Sequence, residues 1–149
     1  MEKKINDLVI LIPAFNEEKN LKKILIKLKN IADTLIVNDG STDLTKKIAK
    51  TFATFVINNN KNYGYDYSLV RGFKFLLKKK YKYILTFDAD GQHNISDIRK
   101  IFKIIKSSRT NCVIGVRDSL NRHSEKLASS ITSFLFNIRD PFSGFKCYK

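Results

Sequence analysis

Short apolar runs alternate with stretches of helical periodicity along the whole chain, and that alternation leaves few architectures open. The runs are Leu8–Ile12, Leu35–Val37, Phe55–Ile57, Tyr83–Phe87 and Asn111–Gly115. Between them apolar residues recur with the spacing of one helix face: Leu21, Ile24, Leu25 and Leu28; Leu69, Phe73, Leu76 and Leu77; Ile95, Ile98, Phe102 and Ile105; Leu127, Ile131, Phe134 and Leu135. A strand that is apolar on both sides belongs in a sheet covered on both faces, and the intervening helices supply the cover. The expectation is one α/β domain over residues 1–149, with a mainly parallel sheet flanked by helices on both faces. Pro13 and Asn38-Asp39-Gly40 should end the first two strands. Asn16 should cap the first helix, with Glu17 and Glu18 in its first turn, and Ser41 or Thr42 should cap a short helix reaching about Lys50.

The chain has 149 residues, 43% of them hydrophobic, which suffices for a core without disulfides. Its two cysteines lack metal-ligand spacing, and Cys112, in the run Cys112-Val113-Ile114, reads as a small buried hydrophobe. No apolar stretch approaches the roughly 18 residues of a membrane span, and Leu8–Ile12 is too short for a signal peptide, so a cytoplasmic protein is expected. The formal charge of +14 is spread mostly along helix faces. The denser set Lys74, Lys78, Lys79, Lys80 and Lys82 suits contact with an anionic membrane surface, which would make the protein peripheral at the cytoplasmic face. No nucleic-acid-binding pattern is present, and nucleic acid is not an expected partner.

In open α/β sheets ligands bind beyond the carboxyl ends of the strands. Three polar segments should meet there: Pro13-Ala14-Phe15-Asn16-Glu17, Asn38-Asp39-Gly40-Ser41-Thr42-Asp43 and Asp88-Ala89-Asp90-Gly91-Gln92-His93. No dinucleotide fingerprint or P-loop occurs. Asp88 and Asp90, one residue apart at the end of a buried strand, suit a hard divalent cation that keeps positions for water and ligand phosphates. A diphosphate bound there becomes a better leaving group. His93 and His123 read as surface or loop residues with no assignable partner.

The motifs in order resemble family 2 glycosyltransferases, particularly the dolichol-phosphate mannosyltransferase and polyprenyl-phosphate glycosyltransferase branch. To the three segments above the resemblance adds Asn62-Tyr63-Gly64-Tyr65 through Leu69, Arg71-Gly72-Phe73, Gly115-Val116-Arg117 and Asp140-Pro141-Phe142-Ser143-Gly144-Phe145-Lys146. It implies a Rossmann-related GT-A fold and inverting transfer from a nucleoside-diphosphate sugar. The acceptor it implies is a polyprenyl (dolichyl or undecaprenyl) phosphate or a glycan. By that likeness Pro13, Ala14, Asn16 and Glu17 line the nucleotide pocket, Asp39 contacts base or ribose, and Arg117 lies near the donor phosphates. Asp88 and Asp90, with Gln92, hold Mg²⁺ or Mn²⁺; Asp90 and Asp140 are the catalytic candidates, Asp140 beside the acceptor or as its base. An ionised phosphate acceptor needs little general-base help, whereas an alcohol needs a base within hydrogen-bond reach.

Three departures from the family pattern stand out. Asp66-Tyr67 occupies a segment where relatives carry small residues, which should alter the donor pocket. Asn94 replaces a frequent proline, which should change how the next helix starts. The chain stops just past Ser143-Gly144-Phe145, so the usual C-terminal extension is expected to be lacking, as in a minimal enzyme, a domain of a larger assembly or a truncated product. A membrane partner protein is the expected alternative to peripheral membrane contact. The rival to an active transferase is a nucleotide-sugar-binding partner protein, or a truncated domain, without turnover.

Overall fold

The computed structural model describes residues 3–91, 93–116, 129, 130, 132, 133, 140, 141 and 143–149. The described elements are β1 (Ile5–Ala14), α1 (Glu18–Leu28), β2 (Ala32–Asn38), α2 (Thr45–Phe52), β3 (Phe55–Asn58), α3 (Tyr65–Leu76), β4 (Tyr83–Thr86), α4 (Asp97–Ser107), β5 (Cys112–Ile114) and β6 (Lys146–Tyr148). They form one sheet of order β3-β2-β1-β4-β6-β5. The β1–β2, β1–β4 and β2–β3 pairs are parallel, while β6 runs antiparallel to both β4 and β5. The helix expected around Leu127, Ile131, Phe134 and Leu135 lies outside the described residues.

Strand β1 shows why the apolar runs read as buried strands. Leu8, Ile10, Ile12 and Ala14 pack in one core with Leu21, Leu25, Leu28, Ile98 and Ile105 of α1 and α4. The alternate residues Val9 and Leu11 pack on the other face with Leu76, Leu69 and Phe73 of α3. Leu8–Ile12 are all fully buried, and each such side chain contributes about 1.5–3 kcal/mol of gross burial. On the α3 face the approach is close at Gly72: a Cβ there would lie 2.3 Å from Leu11 Cδ1, and the buried Leu11 side chain would have to shift.

Several boundaries differ from expectation, each for a local reason. β1 continues through Pro13, which pairs with Val37; the ladder to β4 reaches only Leu11, so proline's missing donor costs nothing there. Asn16 does not cap α1; it takes a left-handed φ of 55° and directs its carboxamide elsewhere. α2 starts at Thr45, past Ser41 and Thr42. Asn94 starts α4 with a local turn, its Oδ1 accepting from the Ser96 amide at 3.0 Å and the Ser96 hydroxyl at 2.9 Å. Cys112, expected inside, is exposed because β5 is the sheet's edge strand, and Cys147 on β6 is the buried one.

Candidate functional site

Because β1 to β4 are parallel, their carboxyl ends share one edge, and antiparallel β6 brings the start of its strand to the same place. A cavity of about 620 Å³ opens there. Its walls come from the segments after β1 (Pro13, Ala14, Phe15, Glu17), before and within the first turns of α3, after β4, and before β6 (Pro141, Ser143, Gly144).

The first two loops are fastened to each other by reciprocal capping. The Glu18 amide donates to Asp43 Oδ2 at 3.1 Å, and the Leu44 amide donates to Glu18 Oε2 at 3.0 Å. The Glu17 amide donates to Thr45 Oγ1 at 2.7 Å, and the Thr45 amide to Asp43 Oδ1 at 2.9 Å. The helix starts α1 and α2 thus satisfy each other's orphan donors with acidic side chains, as the dipole favours. Asn16 adds to the fastening: its amide donates to Ser41 Oγ at 3.0 Å, and its Oδ1 accepts from the Thr42 amide at 2.9 Å.

Asp39, next after β2, is 3% exposed. Its carboxylate accepts from Asn59 Nδ2 at 2.5 Å, the Tyr63 amide at 3.1 Å and the Gly64 amide at 2.7 Å. Burial opposes its ionisation, but these donors outweigh burial and hold the carboxyl below its ordinary value. Arg71 braces the far side by donating to Asn59 Oδ1. Gly40 is indispensable beside it: at φ 70°, a Cβ would lie 2.3 Å from the Lys61 carbonyl carbon. Asp39 therefore shapes the 59–64 loop as well as lining the cavity.

Asp88, next but one after β4, is held differently. The Tyr65 hydroxyl donates to its Oδ1 at 2.9 Å, and His93 Nε2 lies 2.8 Å from Oδ2. Burial first, and then the Asp88 charge, push the Tyr65 phenol far above its ordinary pKa, so it remains a donor. His93 stacks on Phe145, centroids 5.3 Å apart. It is not the partnerless surface residue expected from sequence. Gly144 packs directly on the carboxylate: a Cβ there would lie 2.1 Å from Asp88 Oδ2. Before β6, Thr86 Oγ1 donates to the Gly144 carbonyl at 2.7 Å and accepts from the Lys146 amide at 3.2 Å, which fixes that wall.

Of the residues singled out in the sequence, Pro13, Ala14, Glu17, Asp39, Asp88 and Asp90 come together as lining. Asn16 instead joins two loops, and Asp140, 1% exposed, is not part of the lining that Pro141, Ser143 and Gly144 supply. Gln92 and Arg117 lie outside the described residues. Asp66, one of the departures, is part of the lining, while Tyr67 stacks on Tyr63 with centroids 4.6 Å apart. Sequence reading gave Tyr65 and Gly144 no role beyond their place in segments that match the family; the departure at Asp66-Tyr67, next to Tyr65, was the only local hint. The lysine cluster begins at Lys74 in the last turn of α3 and continues past its end, at the opposite end of the helix from Tyr65.

Among the described residues, this protein of formal charge +14 lines the cavity with five acidic side chains (Glu17, Asp39, Asp66, Asp88 and Asp90) and one basic one, Lys146. Burial, and less strongly the neighbouring Asp90 and Asp43 charges, raise the Glu17 pKa against the lowering effect of its Asn20 hydrogen bond. No three His, Cys, Asp or Glu side chains among the described residues form a metal cage. An all-oxygen pair of carboxylates beside open space nevertheless fits a hard divalent ion that takes its other ligands from phosphate and water.

The chain matches the sequence model of the family described as Glycosyl transferase family 2 over residues 9–146. It is 36% identical over 163 residues to an uncharacterized protein of Methanocaldococcus jannaschii, covering 95% of this chain and 71% of that protein. It is 32% identical over 127 residues to the UDP-N-acetylglucosamine–dolichyl-phosphate N-acetylglucosaminyltransferase of Methanococcus voltae, covering 72% of this chain and 51% of that protein. In fold it is similar to glucosyl-3-phosphoglycerate synthase of Mycobacterium tuberculosis, solved with Mn²⁺, UDP-glucose and phosphoglyceric acid. The TM-score is 0.77 at 15% identity, over 95% of this chain and 56% of that one. That likeness establishes the α/β architecture as GT-A. The chain spans about half the length of the latter two proteins. Among the described residues, no helix is long and apolar enough to cross a membrane.

Proposed function

Since the chain belongs to glycosyl transferase family 2, we propose that it transfers a sugar, with inversion, from a nucleoside-diphosphate donor to a polyprenyl phosphate. The observation that carries this reading is the acidic cavity at the strand ends of a basic protein. A pyrophosphate cannot enter such a cavity favourably by itself; it can enter with a divalent cation between it and Asp88 and Asp90. The polyprenyl acceptor is supported by the name of the Methanococcus voltae relative, which acts on dolichyl phosphate.

In this reading Pro13, Ala14, Glu17 and the Asp39-organised loop receive the nucleoside, and Asp88 and Asp90 hold Mg²⁺ or Mn²⁺. Bound there, the cation neutralises charge on the departing diphosphate. Lys146, with its Nζ 3.0 Å from the Pro141 carbonyl oxygen, is the basic side chain among the described lining residues and would attract an acceptor phosphate. That phosphate, ionised at neutral pH, attacks the anomeric carbon as the bond to the nucleoside diphosphate breaks, and no protein base is required. Buried Asp140 is then a residue that positions the wall of Pro141, Ser143 and Gly144. Gln92 and Arg117 remain candidates for the cation and the donor phosphates by family likeness. The lysines at the end of α3 suit a peripheral contact with anionic lipid.

A thermal-shift panel of UDP-, GDP- and dTDP-sugars, with and without Mg²⁺ or Mn²⁺, tests the reading. At least one donor should raise Tm only when metal is present, and the shift should vanish in Asp90→Ala. Stabilisation that is indifferent to both metal and Asp90 removes the proposal. Donor binding without transfer to dolichyl or undecaprenyl phosphate would instead favour a nucleotide-sugar-binding protein.

A further inference from the structure

We propose that Tyr65 is a latch on Asp88, holding the carboxylate oxygen that a divalent cation must take. The inference rests on the cation-assisted reading above and adds a residue to it. Asp88 has one oxygen on each side of its environment. Gly144 backs both oxygens, since a Cβ there would lie 2.1 Å from Oδ2 and 2.4 Å from Oδ1. Oδ2 faces His93 Nε2 at 2.8 Å, a side chain only 13% exposed and no part of this cavity's lining. Oδ1 is the oxygen that Tyr65 meets, at 2.9 Å, and Tyr65 itself lines the cavity.

A phenol proton and a divalent cation compete for the same lone-pair region of a carboxylate oxygen, and the positive ends of both repel each other. The tether of the latch is firm. Tyr65 opens α3 directly after Gly64, whose φ is 96° and whose amide is fixed 2.7 Å from Asp39 Oδ2. The residue is 44% exposed and lies outside the core clusters, so its ring can turn without unpacking the core. Release is therefore a side-chain rotation and leaves the fold intact. The phenol spans the cavity from the Asp39 side to the Asp88 side. A cation alone has to displace it unaided. A cation arriving with a nucleotide shares that displacement with every contact the nucleotide makes, so the two bind cooperatively.

The test is a titration of the full chain with Mn²⁺, reading the free ion by electron paramagnetic resonance, for wild type, Tyr65→Phe and Tyr63→Phe. It is run with Mn²⁺ alone and with Mn²⁺ plus UDP or GDP. Tyr65→Phe should bind Mn²⁺ alone at least about 10-fold more tightly, as expected for loss of one hydrogen bond to a charged carboxylate. Tyr63→Phe, whose hydroxyl donates to Asn60 Oδ1, should match wild type. Tyr65→Leu, which also lacks the hydroxyl, should tighten binding in the same direction. Equal or weaker Mn²⁺ affinity in Tyr65→Phe overturns the latch, as does equal tightening in Tyr63→Phe. If wild type retains Mn²⁺ with a nucleotide while Tyr65→Phe is no tighter, only the latch falls. If no form of the protein retains Mn²⁺ under any condition, the latch and the cation-assisted function fall together.

Discussion

The loops after β2 and β4 each deliver an aspartate to the same edge of the sheet, and they treat it in opposite ways. Asp39 is 3% exposed and receives two backbone amides and a carboxamide. Asp88 keeps 27% of its side chain exposed and meets a phenol and an imidazole. Backbone donors cannot leave a carboxylate without rebuilding the loop that carries them. Side-chain donors can, by rotating. In the proposed reading the same residue type thus organises a loop at one strand end and meets a ligand at the other, and the kind of donor makes the difference.

Three substitutions sharpen or break that contrast. The largest effect expected is on activity. Asp88→Asn should lower sugar transfer to a polyprenyl phosphate by about 10²–10³-fold, the scale of losing one charge-stabilising group at a leaving diphosphate. Its urea midpoint should stay close to wild type, because Tyr65 can still donate to a carboxamide oxygen. Asp39→Asn should reverse the pattern. Weakening three donors around a buried charge costs roughly 2–4 kcal/mol in denaturant unfolding. The sign of the pH dependence follows from the lowered folded pKa. The Asp39 contribution is complete above the ordinary carboxylate value and is lost as pH falls through the folded value. The stability gap between wild type and Asp39→Asn should therefore shrink on acidification, and a gap that widens would contradict the assignment. The smallest effect is at Gly144→Ala, where the new Cβ must push the Asp88 carboxylate aside. About 1–2 kcal/mol of stability is expected to go, with weakened metal-dependent donor binding in the thermal-shift panel.

How much of this was legible in the sequence depends on the range of the interaction. The apolar runs at Leu8–Ile12 and Leu35–Val37 announced buried parallel strands, and the order of those strands announced that Pro13, Asp39 and Asp88 would converge. Strand β6 escaped notice because three residues, Lys146–Tyr148, carry too little alternation to be seen. Asn16 looked like a helix cap because asparagine before two glutamates has that local form; the competing partners, Ser41 and Thr42, lie in another loop.

Periodicity is a property of neighbouring residues, so the chain alone determined the α/β class, the two-sided burial of its strands and the edge at which polar segments gather. Tertiary structure alone decided which aspartate is saturated and which is latched, because the donors come from far along the chain. Tyr65 reaches Asp88 across 23 residues, and Thr86 meets Gly144 across 58. It also decided that Cys112 faces solvent, since the insertion of β6 between β4 and β5 left β5 at the edge. Such partnerships depend on where folded elements stop relative to one another, a quantity that no local pattern encodes.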